Sequence, residues 1–431
     1  MPRQFRTGDQ ALVRQLNRSI LLQRLWIGSP LSRADLAATT GLNKTTVSDL
    51  VDELRDGGFV QEVGRNASVG GRPGVLLELD PDAGWIIGCE IGVGRLGVVL
   101  ANLRAHVTWR RQATFSKEDS LDSVIDRLAA YMRQAKHHAQ RTGRRLFGAG
   151  LSVPGLVDVS NGTLVFEPNM GWRDVPLRAD LAERIRLPMF VDNDGNAAAL
   201  AERYFGVAQG IEDFAYVVAN IGLGAGLVIG GHIHYGVSGY AGEAGHTTID
   251  PDGPLCRCGN HGCWETLASQ RALIERVGEL RRSQPSSILD QLTSDGTVPL
   301  NLATILQAAQ GGDAVAVEAL RQTGTYLGIG IANLVNLLNP GLVAFGGSLS
   351  LAHEFLLPAA REVVQQRAMA ELSQTTRIVV SSFRQDACVM GGVALVLHDI
   401  LSRPRLVPSA QASPTPARDE LTPKSALRVM P

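Results

Sequence analysis

Residues 243–265, EAGHTTIDPDGPLCRCGNHGCWE, constrain this chain more tightly than any other stretch. They hold three of its five cysteines, Cys256, Cys258 and Cys263, with His246 just upstream. Zinc takes four nitrogen or sulfur ligands in a tetrahedron, and a Cys-x-Cys knuckle closed by a further Cys and a His supplies them. Gly259 and Gly262 give the backbone the tight turns a knuckle needs. The plainer alternatives are buried thiols or a disulfide. The start, MPRQFRTGDQ, has no apolar leader, so the chain reads as cytoplasmic, where disulfides are rare and a dense Cys/His cluster binds metal. One structural zinc per chain is the expectation. A carboxylate stands at each end of the stretch, Glu243 and Glu265. A metal joining the two ends would fix both acids, as a rigid polar ligand site requires. Either Glu alone is an ordinary surface acid.

A chain of 431 residues calls for two or three domains, and 45% hydrophobic with 19% charged residues is globular composition. The net charge of -1 rules out an overall basic nucleic-acid binder, though not a local basic face. Two long uncharged runs, 214–242 and 323–352, are broken by glycines, by Asn220 and by Asn339-Pro340-Gly341. They read as buried elements and turns of an α/β core rather than membrane spans.

The first 80 residues follow a different pattern. Residues 10–27 are helical in periodicity, with Leu12, Leu16, Ile20 and Leu25 expected on one inward face. Ser32 caps a short helix to Thr39, Gly41 turns the chain, and a second helix opens at Asn43 or Lys44 with Val47, Leu50, Val51 and Leu54 inward. That order is a helix-turn-helix, although any three-helix bundle with a polar face shares it. The outward residues at the start of the second helix are Asn43, Lys44, Thr45, Thr46 and Ser48, short polar groups and one cation suited to base edges and phosphates. Strand-like 59–63 and 75–79 flank a Gly-rich loop with Arg65 and Arg72, a wing that can reach a minor groove. Six arginines up to Arg33 face only Asp9 before Asp35, but Asp49, Asp52 and Glu53 on the second helix keep the basic footprint modest.

After 80 the pattern becomes α/β. Strands are expected at 85–93, 96–103, 107–114 and 147–153, with an amphipathic helix over 121–141. A hairpin at 215–229, a helix from 263, a polar excursion at 283–300 and a long helix over 313–338 follow. Gly324, Gly328 and Gly330 in that helix point to close helix packing. A strand at 342–345, a helix at 352–368, a strand at 377–381 and a helix at 385–401 close the fold, with Cys388 a small core residue. From 402 the composition shifts to Pro, Ser, Ala and charge, a disordered tail.

Glu-x-Gly-His followed by Cys-x-Cys-Gly-x-x-Gly-Cys-x-Glu resembles the ROK family of repressors and sugar kinases. The order of a winged helix-turn-helix followed by an α/β body is similar to its repressors. The resemblance implies a two-lobed actin-like ATPase body over 81–401, with lobes at about 81–200 plus the C-terminal helix and about 201–384, behind a DNA-binding domain at 1–80. It implies His246, Cys256, Cys258 and Cys263 on zinc, and Glu243, His246 and Glu265 on sugar hydroxyls. Glu167-Pro168-Asn169 and Val191-Asp192-Asn193-Asp194-Gly195-Asn196 match the family's other sugar motifs, which adds Asn169, Asn193 and Asp194. In the family's kinases that Asp is the general base for the attacking hydroxyl. Asn193 and Asp194 serve equally well as caps for the helix they open.

The phosphate motifs depart from the kinase pattern. Where the kinases carry Asp-x-Gly-Gly-Thr, this chain has Glu90-Ile91-Gly92-Val93-Gly94; where they carry Gly-Thr-Gly, it has Asn220-Ile221-Gly222. Ile221 offers no hydroxyl and Asn220 adds bulk. ATP binding is expected to be lost, although Gly346-Gly347 on the adenosine side remains. The leading reading is a non-enzymatic, sugar-responsive repressor that binds double-stranded operator DNA as a homodimer or homotetramer, with a monosaccharide or sugar phosphate as effector. The rival is an ATP-dependent hexose kinase with an accessory DNA-binding domain. A third is a regulator whose cleft no longer binds sugar.

Overall fold

The computed structural model describes residues 9–65, 74–116, 118–283, 288–293 and 298–404. Arg72 and the predicted tail beyond Pro404 lie outside the described residues. Contacts divide the chain into two units that part between Leu79 and Asp80.

The first unit opens with helix α1 (Gln10–Gly28), a two-residue strand β1 (Leu31–Ser32), α2 (Arg33–Thr40), α3 (Lys44–Asp56) and strands β2 (Val60–Arg65) and β3 (Val75–Leu79). Local chemistry sets these boundaries. The Ser32 hydroxyl accepts the Asp35 amide while the Asp35 carboxylate accepts the Ser32 amide, a reciprocal cap. Gly41 ends α2 in the left-handed region at φ 73°, and the Asn43 side chain accepts the Thr46 amide to start α3. The strands pair in the order β1-β3-β2 over a core of Leu21, Leu22, Leu25, Leu36, Leu50, Leu54, Phe59 and Leu77. This is a winged helix-turn-helix. The expected inward face of α1 is corrected: Leu16 and Ile20 are 52% and 43% exposed, and Leu21, Leu22 and Leu25 are the buried set. Periodicity admits both stripes, and the position of α2 and α3 selects one.

The second unit holds two sheets. In the first, β4 (Trp85–Gly92), β5 (Arg95–Asn102) and β6 (Val107–Thr114) form a meander. Helix α4 (Leu121–Gln140) then crosses to β7 (Leu146–Val153). A small sheet of β8 (Leu156–Asp158), β9 (Thr163–Glu167) and β10 (Trp172–Val175), then α5 (Leu177–Ile185), precede β11 (Met189–Asn193) and α6 (Asp194–Phe205). The order is β11-β7-β4-β5-β6, with β11, β7 and β4 parallel. The second sheet is built from β12 (Phe214–Ala219), β13 (Leu223–Ile229) and β14 (His232–Ile233). After α7 (Trp264–Ala268), α8 (Gln270–Ser283), α9 (Ile288–Thr293), α10 (Leu302–Gln310) and α11 (Ala314–Leu338) it is completed by β15 (Leu342–Gly346). Helices α12 (His353–Arg367) and α13 (Ala370–Thr375) lead to β16 (Arg377–Val380), and α14 (Ala387–Ser402) ends the described chain. The order is β14-β13-β12-β15-β16.

Two five-stranded sheets that each start with an antiparallel meander and finish with parallel strands are the duplicated halves of an actin-like ATPase fold. The glycines of α11 do what close packing requires: a Cβ on Gly324 or Gly328 would lie 2.4 Å from the Leu356 carbonyl oxygen or 2.6 Å from that of Ala360, both on α12. The two long uncharged runs form β12–β14 with the loop after them and α11–β15, and among the described residues no helix is long and apolar enough to cross a membrane. The small β8–β9–β10 sheet and α10 had no counterpart in the sequence reading.

Candidate functional site

The knuckle folds as a set of tight turns between β14 and α7. Cys256 donates its amide to the Asn260 carbonyl at 2.7 Å, Gly259 donates to the Cys256 carbonyl at 3.0 Å, and the Trp264 amide reaches back to the Thr247 carbonyl at 2.9 Å. Gly259 and Gly262 sit at φ 93° and 59°, the region only glycine enters freely. These turns bring one ligand atom each of His246, Cys256, Cys258 and Cys263 to within 4.8 Å of one another. Cys256 Sγ lies 3.6 Å from His246 Nδ1, and Cys258 Sγ lies 3.6 Å from Cys263 Sγ. Metal–sulfur bonds of about 2.3 Å in a tetrahedron give edges of about 3.8 Å, so the four donors fit a single ion. The other ring nitrogen, His246 Nε2, faces Glu243 Oε2 at 3.8 Å. A carboxylate there fixes ring orientation and tautomer.

Next to the knuckle lies a cavity of about 480 Å³, and its lining includes Asn169, Asn193, Asp194, Glu243, His246 and Glu265. All six sugar residues expected from the sequence meet there, from the β9–β10 turn, the β11–α6 junction, the short turn before the knuckle and α7. Each is held from behind. Glu265 is buried at the start of α7, where its Oε2 accepts the Leu223 amide at 3.2 Å and its Oε1 accepts from Arg271 at 3.3 Å. Gly222 makes room for it, since a Cβ there would lie 2.5 Å from Glu265 Oε2. Asn169 donates to Glu167 Oε1 at 3.0 Å and accepts from Arg257 at 2.8 Å. Asn193 caps α6 with its Oδ1 and donates Nδ2 to the Gly155 carbonyl at 2.9 Å, so much of its hydrogen-bonding capacity is internal. Asp194 accepts the Gly195 amide at 2.9 Å. Burial, then the charge of Glu90, pushes Asp194 up to about 7; the Gly195 amide acts in the opposite sense, and Glu243 and Glu167 add to the rise. Burial likewise raises Glu243, with His246 opposing it and Glu265 adding to it. Beneath this layer Asp192 is fully buried, accepts from Tyr235 at 2.7 Å and from Asn196 at 3.1 Å, and braces the β11–α6 junction. A carboxyl group accepts when ionised and can also donate when protonated, so the cavity offers a cluster of hydrogen-bonding groups matched to a ligand with many hydroxyls.

The opposite wall is made of the departed phosphate loops. Arg95 donates to Glu90 from Nη2 at 2.5 Å and from Nε at 3.0 Å, and to the Gln385 carbonyl at 2.9 Å. Asn220 Oδ1 accepts the Ser348 amide at 2.8 Å, and the Ser348 hydroxyl donates to Gln270 Oε1 at 2.7 Å. Sequence reasoning singled out Asn220 for bulk alone, took Arg95 only as the end of the altered turn after Glu90, and did not find Gln270 or Ser348. Apart from Glu90, five residues from Arg95, their partners are far away in sequence, 290 residues for Arg95 and Gln385, and leave no local signal.

In the first unit, Asn43, Lys44 and Thr45 are exposed at the start of α3, with Thr46 and Ser48 half-buried. Asn43 is the cap of α3, and Ser48 accepts from Arg33 at 2.9 Å. Arg65 is exposed at the end of β2. Two of the acids on α3, Asp52 and Glu53, are ion-paired with arginines of the same unit. Arg14 and Arg18 both pair with Glu53, Arg18 at 2.7 Å, and Arg33 and Arg55 pair with Asp52 at 2.7 and 3.1 Å. Three arginines counted toward a basic footprint therefore serve this cancellation.

A model described as ROK family matches residues 86–399. The chain is 35% identical over 398 residues to the xylose repressor of Caldicellulosiruptor bescii, spanning 92% of this chain and 99% of that protein. A solved structure described as a ROK family transcriptional regulator, homolog of the E. coli MLC protein, superposes with a TM-score of 0.78 at 29% identity over 90% of this chain and 97% of its own. A ROK family glucokinase from Streptomyces griseus, in complex with glucose and AMPPNP, gives a TM-score of 0.66 at 30% identity over 73% of this chain and 99% of its own. The glucokinase is matched almost whole yet leaves about a quarter of this chain over, room for the winged helix. With a family model over most of its length and a repressor matched from end to end, this protein belongs to the ROK family.

Proposed function

We propose that this protein is a sugar-responsive transcriptional repressor: the winged helix-turn-helix holds an operator, and a sugar bound beside the knuckle releases it. The observation that carries the reading is the contrast within one cavity, where the six residues expected to meet sugar hydroxyls converge while Asn220 and Arg95 at the phosphate turns are bonded to Ser348 and Glu90. The carboxylates oppose a phosphate group, which favours an uncharged sugar over its phosphate. The repressor named among the relatives points the same way. The knuckle holds one structural zinc, the ion that Cys₃His donors at this spacing select. The reading is of a regulator rather than a kinase, because the turns that would cradle a nucleotide's phosphates carry Val93 and Ile221, and the Ser348 amide beside them is taken by Asn220.

On the DNA side, Lys44 and Thr45 at the start of α3, with Arg65 and Arg72 of the wing, make the contacts. One recognition helix reads few base pairs, so two copies bind an inverted repeat. A sugar can shift the protein only by its differential affinity for two states. The test is operator affinity with and without D-xylose, D-glucose and N-acetylglucosamine. At least one sugar lowers affinity tenfold or more, and Asp194→Ala and Glu243→Ala give proteins that bind operator but are no longer released. Tight sugar binding with unchanged operator affinity would sink the coupling.

A further inference from the structure

A second cavity, of about 550 Å³, adjoins the first, and the two share Val93, Pro168 and Asn169 as a common wall. The proposed function makes no use of it. Its lining differs from that of the first. Phe115 and Trp172 lie stacked, 6.3 Å apart and 12° from parallel, so the pocket has an aromatic wall. Polar groups flank that wall. Asp119 is held in place by Arg127 at 2.7 Å and by the Ser116 amide at 2.8 Å. Arg257 projects from between two knuckle cysteines and donates to Asn169 at 2.8 Å. A guanidinium carries five N–H groups and an ionised carboxylate about four acceptor sites, so neither partner is exhausted by these bonds. Val93 and Gly94, the β4–β5 turn that departs from the kinase pattern, also line it.

An aromatic face edged by one fixed acceptor and one fixed donor is the chemistry that holds a pyranose ring: its C–H face packs on the aromatic and its equatorial hydroxyls meet the polar rim. We infer that this second cavity is a subsite for a further sugar ring, so that the effector is a glycoside or short oligosaccharide passing across Asn169, one ring among the carboxylates and the next on Trp172. The inference rests on the sugar reading of the first cavity. Asn169 is suited to the crossing point, since its amide lines both cavities and is fixed by Glu167 on one side and Arg257 on the other. Each cavity has the volume of a single small-molecule site.

The experiment is calorimetric titration of the full-length protein with matched pairs: xylose and xylobiose, glucose and cellobiose, N-acetylglucosamine and chitobiose. For the sugar that fits, the disaccharide binds at least tenfold more tightly than its monosaccharide. Trp172→Leu, which keeps an apolar side chain, removes that advantage and leaves monosaccharide affinity within about twofold, in line with a stacking contribution confined to one ring. Asp119→Asn, which lines the second cavity and not the first, lowers disaccharide affinity in the same selective way and covers the case in which Trp172→Leu does not fold. If a monosaccharide binds and every disaccharide binds no better, or if both variants weaken the two ligands equally, the subsite is refuted while the first cavity stands. If no sugar of either length binds, both readings fall.

Discussion

On the knuckle side of the cleft, Glu243 and Asp194 bring carboxylate oxygens to the cavity, and the groups that hold them, the Gly195 amide and His246, leave acceptor sites over. On the opposite side, Glu90 is answered by Arg95 and Asn220 by the Ser348 amide, each at hydrogen-bond distance. Both sides are built from turns at strand ends: the β9–β10 turn and the β11–α6 junction on one, the β4–β5 and β12–β13 hairpin turns on the other. They differ in whether their polar groups are satisfied by the protein or reserved for a ligand. A buried polar group without a partner costs about 1–3 kcal/mol, so a wall that has lost its ligand is expected to close upon itself, while one that keeps its ligand tolerates the cost. The contrast separates a retained site from an abandoned one more sharply than motif matching does.

The largest effect expected concerns what holds the knuckle wall open. Cys258→Ser, or removal of metal by a chelator, abolishes the stoichiometric zinc seen by elemental analysis. It lowers the melting temperature by on the order of 10 °C, because losing a structural metal belongs to the most damaging class of changes. Sugar binding goes with it, since Glu243 and Glu265 stand at the two ends of the loop the ion closes. A wild-type protein that is metal-free, fully folded and sugar-binding would show that the turns alone position the acids, and the two walls would differ less than argued.

A smaller effect sharpens the other side. Wild-type protein with the sugar that binds it turns over no ATP and shows no thermal stabilisation by ATP and Mg²⁺. Asn220→Gly combined with Ile221→Thr removes the acceptor that occupies the Ser348 amide and restores a hydroxyl. This variant gains measurable stabilisation by ATP, with a dissociation constant on the order of millimolar, and still no turnover, because Arg95 remains locked on Glu90. Turnover by the wild type that Asp194→Asn abolishes would restore the kinase reading.

Much of this contrast was legible before the structure, but unevenly. The knuckle was readable because its four ligands fall within 18 residues and their chemistry restricts the partner. The winged helix-turn-helix was readable because its boundaries are set locally, by Ser32, Gly41 and Asn43. The sugar residues came from motifs, and the structure brings all six to one cavity. Long-range pairing was not readable. The bonds from Arg95 to Gln385 and from Asn220 to Ser348 join segments 290 and 128 positions apart, and no periodicity announces them. The modest basic footprint was readable as a count of arginines against the acids of α3, but not the pairing behind it, in which Arg14 and Arg18 both meet Glu53. Leu16 and Ile20 show the limit of periodicity itself, since one helix can carry two apolar stripes and only its neighbours choose between them.

The smallest effect expected is a pH dependence, and it tests whether the knuckle wall is reserved for hydroxyl donors. Burial, then the charge of Glu90, pushes Asp194 up to about 7, against about 3.9 for an unperturbed Asp. The neutral acid is therefore the form the empty fold favours. Its contribution to stability is full below about pH 4 and is lost as pH rises through about 7. A sugar hydroxyl that donates to Asp194 needs the carboxylate, so the complex binds fewer protons than the empty site. Affinity then rises with pH across about 6 to 8, by at most tenfold per unit for one proton released. Glu243, also raised, changes affinity in the same direction. Titrations at pH 6 and pH 8 are expected to differ by about threefold to tenfold in favour of pH 8, with the slope reduced in Asp194→Asn. Protons released on binding, measured as a buffer-dependent heat, are the independent check. An affinity that rises toward acid pH would mean that Asp194 meets the ligand as a donor. The division between a side reserved for hydroxyl donors and a side closed on its own groups would then fail at its central residue.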